Sequence, residues 1–284
     1  MTPAEKQMLK NWVGRTESAR DTVSSWRVAA LAHALDRDDT PSVGDALPPL
    51  WHWLNFLPTY KASELGYDGH ARLGSFLPPV SLPRRMWAGG RLRFERPLRV
   101  GENATRVSRI ADIAFKSGQS GSLAFVQVQH NIDGDQGAQI VEEHDIVYRA
   151  AASNSAAPPP ARPAPAQAQW SSELSADPVL LFRYSALTFN GHRIHYDREF
   201  CLGEAYPGLV VHGPLIATLL LDLLRRHAST AKVKTFAFKA ISPLFDIHPF
   251  SVHGRVDGTQ ATLWALNHRS ELAMSASAEL GGGQ

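Results

Sequence analysis

The stretch TFNGHRIHYD, residues 188–197, gathers two histidines, an asparagine, an arginine and an aspartate into one short segment. Imidazole is the side chain that ordinarily changes charge between pH 5 and 8, so a segment holding His192 and His195 is equipped to take up and return protons. Arg193 adds a planar fork that suits a carboxylate, either the nearby Asp197 as a local ion pair or a ligand. Asn190 precedes a glycine, which is also plain turn chemistry. A histidine standing alone is usually core or surface structure, but one flanked by Asn190, His192, Arg193 and Asp197 reads as a site.

Such a loop needs a rigid support, and the chain supplies one just downstream. In YPGLVVHGPLIATLLLDLLRR, residues 206–226, Pro214 stands at a first helical position after His212 and Gly213. The leucines and isoleucine that follow are apolar nearly all round, and Arg225 and Arg226 close the carboxyl end. A helix of that kind must be wrapped. Strand-like alternation follows at 234–241, 250–256, 259–266 and 271–280, and precedes it at 90–98, 104–116, 121–131 and 139–150, with NIDGDQGAQ as a hairpin connection. Long antiparallel strands around one buried helix describe an α+β fold whose sheet uses the helix as its core.

Residues 151–169, AASNSAAPPPARPAPAQAQ, are too poor in large apolar groups to repay ordering and read as a linker. They divide the chain into an N-terminal unit at 1–150 and a C-terminal unit at 170–284. WRVAALAHALDRDD from Trp26 echoes FRYSALTFNGHRIHYD from Phe182, and LRFERPLRVGE from Leu92 echoes FAFKAISPLFD from Phe236, in the same order. This points to a duplicated fold. The formal charge of +2 is too small to mark a nucleic-acid partner. One cysteine, Cys201, gives no disulfide framework, and no Cys/His cluster has zinc-ligand spacing, so neither metal nor cofactor is expected. The amino end is charged, and no segment reaches about 20 uninterrupted apolar residues, so the expectation is a cytoplasmic protein with no membrane span.

FNGHRIHYD followed by VVHGPL resembles the MaoC-like hydratases and dehydratases, a hotdog-fold family acting on acyl thioesters, and within it the double-hotdog subgroup that includes itaconyl-CoA and mesaconyl-C4-CoA hydratases. The resemblance is most specific over 182–224. It implies two fused hotdog folds, an N-terminal one that is degenerate and non-catalytic and a C-terminal one bearing the motif. Fusion satisfies internally the interface that single hotdogs make by pairing, so a monomer or a homodimer is expected. The family's motif reads D-x-N-P-[IL]-H-x-[DE]. Its aspartate falls on Asn190, its histidine on His195 and its last acid on Asp197.

The implied reaction is addition of water across a short enoyl-CoA, with a branched dicarboxylic acyl group as the expected substrate. The alternatives are a 3-hydroxyacyl thioester dehydratase, a hotdog thioesterase and a non-catalytic acyl-binding module. His195 carries the acid-base work, with Asn190 or Asp197 beside it, since an amide orients water but accepts no proton. The start of the central helix at Gly213 offers amide groups to the thioester oxygen. His192, Arg193 and Asp197 complete the substrate contacts. Arg84, Arg85 and Trp87, in the basic stretch 82–99, are the expected coenzyme A contacts, with a solvated strand face as their other reading. LWHWLNFLPTY at 50–60 lines a pocket or covers an edge. In the first unit only His33 stands where a motif histidine would.

Overall fold

The computed structural model describes residues 1–118, 121–150, 161–165 and 167–281. The first unit contains α1 (Pro3–Lys10), β1 (Thr16–Thr22), α2 (Ser25–Ala34), β2 (Arg84–Arg96), β3 (Asn103–Gly118), β4 (Gly121–Gly134) and β5 (Gln139–Arg149). The second contains β6 (Trp170–Leu174), α3 (Pro178–Leu187), α4 (Arg198–Gly203), α5 (Gly213–His227), β7 (Lys232–Ala240), β8 (Phe250–Asp257), β9 (Gln260–Leu266) and β10 (Leu272–Gly281). Most of the expected linker, 151–160 and 166, lies outside the described residues.

Among the described residues ten strands form a single antiparallel sheet in the order β1-β3-β4-β5-β2-β7-β10-β9-β8-β6. The two units meet where β2 pairs with β7, and Leu92 lies opposite Phe236 in that pairing. These are the first residues of the two echoing segments. The other echo, around Trp26 and Phe182, falls on α2 and α3, which pack against each other. The internal similarity therefore corresponds to equivalent places in a double hotdog.

α5 behaves as its sequence requires. Every side chain from Leu215 to Leu224 is buried, including Thr218 and Asp222. Each fully buried leucine contributes about 1.5–3 kcal/mol relative to exposure. Asp222 is tied by Arg226 (2.9 Å) and by Arg37 of the first unit (3.1 Å), so its charge is not left bare. α5 packs against β8, β9 and β10, and its leucines share one core with Phe236, Phe238 and Leu263.

The first unit departs from the expected symmetry. Its helix α2 has ten residues and three buried side chains, and the segment from Leu47 to Val80 folds as turns and short 3-10 helices instead of a long rod. Without a rod, the inner face of the N-terminal sheet borders a cavity.

Candidate active site

The motif loop is held in place by its own polar groups. Asp177 caps α3, which ends at Leu187, and Phe189 turns the chain at φ +48°. Asn190 Oδ1 then accepts the His192 amide at 3.0 Å, so this part of Asn190 is turn structure. Asp197 caps α4 by accepting the Phe200 amide (3.0 Å) and also takes the Arg193 guanidinium at 2.7 Å. Arg193 further donates to the Tyr67 carbonyl and covers the Phe200 ring. Neither Arg193 nor Asp197 borders the cavity. The expected substrate contact by this pair is thus corrected: the local ion pair uses both.

His195 sits at the end of a short 3-10 turn and is buried. Its Nδ1 donates to the Val210 carbonyl at 2.7 Å, which leaves the Nε2 lone pair for the cavity. Burial pushes His195 down to about 4, against the Val210 bond, so the ring is neutral at neutral pH and its Nε2 is unprotonated. His212 stacks on it, with ring centroids 3.6 Å apart, and shares a 2.8 Å hydrogen bond with Ser185. His212 is also the N-cap position of α5, and no side chain caps that end. Gly213 opens the helix on the cavity wall, beside the Trp87 carbonyl. Its amide and the helix dipole are available to a developing negative charge.

The first unit contributes a segment that no local sequence signal places here. Gly69 lies so close to the motif loop that a Cβ on it would stand 1.9 Å from the Gly191 carbonyl oxygen, and its φ is +84°. Only glycine fits that approach. The neighbouring Asp68 carbonyl accepts the Arg193 amide at 2.9 Å. This docking brings Asp68 and His70 beside the motif: Asp68 Oδ2 bonds His70 Nδ1 at 3.1 Å, and the His70 ring lies 4.0 Å from that of His192. Burial pushes both His70 and His192 down. Against the upward push of burial, the His70 contact holds Asp68 far below the usual carboxylate range. Donor atoms of Asp68, His70 and His192 lie within 4.8 Å of one another, a spacing compatible with a cation.

A second polar group crosses the inner sheet face. Ser108, His130, Glu142 and Leu92 occupy one cross-strand row, which continues into Phe236. Glu142, fully buried, bonds His52 at 2.9 Å, Trp53 Nε1 at 2.7 Å and His144. His144 reaches His130 (3.3 Å), which reaches Ser108 (2.9 Å). Against complete burial, the His144 and His52 rings hold Glu142 well below the carboxylate range. Trp87 lies on His144 at 3.9 Å and against Trp53, so it forms inner wall and is not free to stack on an adenine. Arg84 is paired with Glu204 at 3.0 Å. Arg85 borders the cavity and makes no ion pair among the described residues.

His195, Gly213, His70, His130 and Glu142 line one cavity of about 1140 Å³, which also borders Arg106. The segment at 50–60 lines it, as one of its two readings held, through Trp53, Asn55, Phe56 and Tyr60. His33, by contrast, is exposed on α2. The reading that confined first-unit chemistry to His33 is corrected: His52, His70, His130 and His144 are the imidazoles that reach the cavity. One signal for them was present. Along β4 the inward series Ala124, Val126, Val128, His130, Ile132 places a histidine in an apolar register.

The sequence profile of the hydroxyacyl-thioester dehydratase type 2 family matches residues 50–246. The chain belongs to that family. A mesaconyl-C(4)-CoA hydratase of Chloroflexus aurantiacus is 46% identical over 273 residues, covering 95% of this chain and 97% of that protein. Among solved structures, a MaoC-like dehydratase from Phytophthora capsici superposes with a TM-score of 0.69 at 13% identity, covering 97% of each chain. A Mycobacterium tuberculosis protein described as a double hotdog superposes with a TM-score of 0.53 at 14% identity, covering 95% of this chain and 96% of that one. At these identities the structures speak to the fold alone, and the fold they share is the one described above.

Proposed function

We propose that the protein is an acyl-CoA hydratase that adds water reversibly to a short enoyl thioester, and that its acyl group is a branched dicarboxylate of the mesaconyl or itaconyl class. The observation that carries the chemistry is His195: a neutral imidazole, fixed by Val210 through Nδ1, with Nε2 turned to a cavity beside the amino end of α5. The 46% identity to a mesaconyl-C(4)-CoA hydratase supports the substrate class.

In this reading His195 Nε2 removes a proton from water as the water oxygen bonds to the β carbon. The π electrons move toward the thioester oxygen, where the Gly213 amide faces the developing charge. The imidazolium then returns the proton to the α carbon on the same face, which restores the neutral ring. His70, oriented by Asp68, accepts a hydrogen bond from the second hydrogen of the water, which stays on the product hydroxyl, and so supplies the carboxylate-backed contact that Asn190 lacks. The reverse sequence is dehydration of a 3-hydroxyacyl thioester, the reaction in the family's description.

Purified protein incubated with mesaconyl-C4-CoA, itaconyl-CoA and crotonyl-CoA tests the reading. Loss of the enoyl thioester absorbance together with a mass gain of one water supports it. Release of free thiol points instead to a thioesterase, and binding without turnover to an acyl-binding module.

A further inference from the structure

A dicarboxylic enoyl thioester needs a receptor for its free carboxylate, and the chemistry locates that receptor. In mesaconyl-C4-CoA the carboxylate stands on the carbon that water attacks; crotonyl-CoA has no carboxylate on that carbon. The receptor must therefore flank the histidine cluster, and it must be a cation that no protein carboxylate already holds.

Arg193 is bound to Asp197 and lies away from the cavity. Arg84 is bound to Glu204 and covers Tyr206, while Arg72 donates to the Leu65 carbonyl. Arg149 also borders the cavity without an ion pair among the described residues, but it lies opposite Arg84 and so off the sheet face that carries Trp87. Arg85 lies on that face. It borders the cavity, has no ion pair among the described residues, and stands on β2 two residues before Trp87, whose carbonyl faces Gly213. Alternate residues of a strand share a face, so Arg85 and Trp87 point the same way about 7 Å apart along β2. His70 and His192 border the same cavity.

The wall beyond Arg85 is polar too. Tyr60 lies within the field of both Arg85 and Arg106. Arg106 has no hydrogen-bond partner for Nε among the described residues; its nearest carboxylate, Glu17, is 3.8 Å from Nη2. Asn55, buried to 3% exposure on the same cavity, leaves both amide atoms unbonded among the described residues. Buried polar atoms without partners are costly unless a ligand meets them.

We propose that the N-terminal unit carries the carboxylate-recognition subsite, in which Arg85 forms the ion pair with the free carboxylate of the acyl group and Tyr60, Arg106 and Asn55 form the polar wall behind it. The proposal rests on the hydratase reading. It moves Arg85 from coenzyme A binding to acyl selection, and it gives the first unit the choice of substrate.

The test is kcat/KM for wild type and Arg85→Met with mesaconyl-C4-CoA and crotonyl-CoA. The expected result is a loss on the order of 30–100-fold on the dicarboxylic thioester and a loss at least tenfold smaller on crotonyl-CoA. Arg85→Lys, which keeps the charge but not the fork, should recover part of the dicarboxylic activity. Equal losses on the two thioesters, as a contact to coenzyme A would give, or no loss on mesaconyl-C4-CoA, overturn the proposal. If Arg85→Met does not fold, Arg85→Lys decides by the same ratio, and an unchanged ratio overturns it. A wild-type protein that hydrates neither thioester removes the hydratase reading itself, an outcome distinct from either of these.

Discussion

Acidification from about pH 7.5 to about pH 4.5 protonates His195 in the unfolded chain well before it protonates the folded one. The unfolded value is 6.5 and the folded value about 4, because burial penalises the charged ring. The sign follows from this depression: the unfolded state binds more protons, so the stability contribution is complete above about pH 6.5 and is lost as pH falls toward 4. Integrating between these values gives a loss of about 2.5 kcal/mol at pH 4.5 from this one ring. His70, His130, His192 and His212 are also pushed down by burial and add to the slope. The assay is urea unfolding of wild type and His195→Gln, followed by tryptophan fluorescence at a series of pH values. The wild-type curve should fall more steeply than the variant's, with a difference of about 2.5 kcal/mol accumulating between the two pH limits. Parallel curves would show that His195 is not a buried neutral ring and would refute the reasoning.

Gly69→Ala should cost about 1–3 kcal/mol, since it combines a left-handed backbone with a collision against Gly191, and it should lower turnover as His70 is displaced; thermal unfolding and kcat check both effects. Arg193→Ala breaks a partly exposed ion pair outside the cavity, so it should change stability by less than about 1 kcal/mol and affect dicarboxylic and monocarboxylic thioesters equally in kcat/KM. Leu220→Ala, at a fully buried position of α5, should cost about 2–5 kcal/mol by urea unfolding.

The second unit was readable because its signals are local. Pro214, the leucines of α5 and the arginines that close it lie in one stretch, and the motif residues from Asn190 to Asp197 occupy eight consecutive positions. Strand alternation marked eight of the ten strands. β1 and β6 escaped because TESARDT and WSSEL sit at the two edges of the sheet, where polar residues alternate with half-buried ones and no apolar series forms. The first-unit half of the site was not readable for a different reason. His52, Asp68, His70, His130, Glu142 and His144 come from four separate stretches that only the tertiary fold assembles. His70 reaches the motif through the Gly69–Gly191 contact, which no periodicity signals. Asp197 and Arg193 show the reverse error: residue types suited to binding were consumed by a helix cap and an ion pair.

The central claim is that one neutral imidazole moves the proton of the reacting water. Its most direct test is the hydration rate of mesaconyl-C4-CoA with wild type and His195→Ala at near-neutral pH, alongside a circular dichroism spectrum of each. The account predicts a loss in kcat on the order of 100-fold or more with the spectrum unchanged. A variant that folds and retains kcat within about threefold of wild type would contradict it, because so small a change leaves no room for a general acid-base.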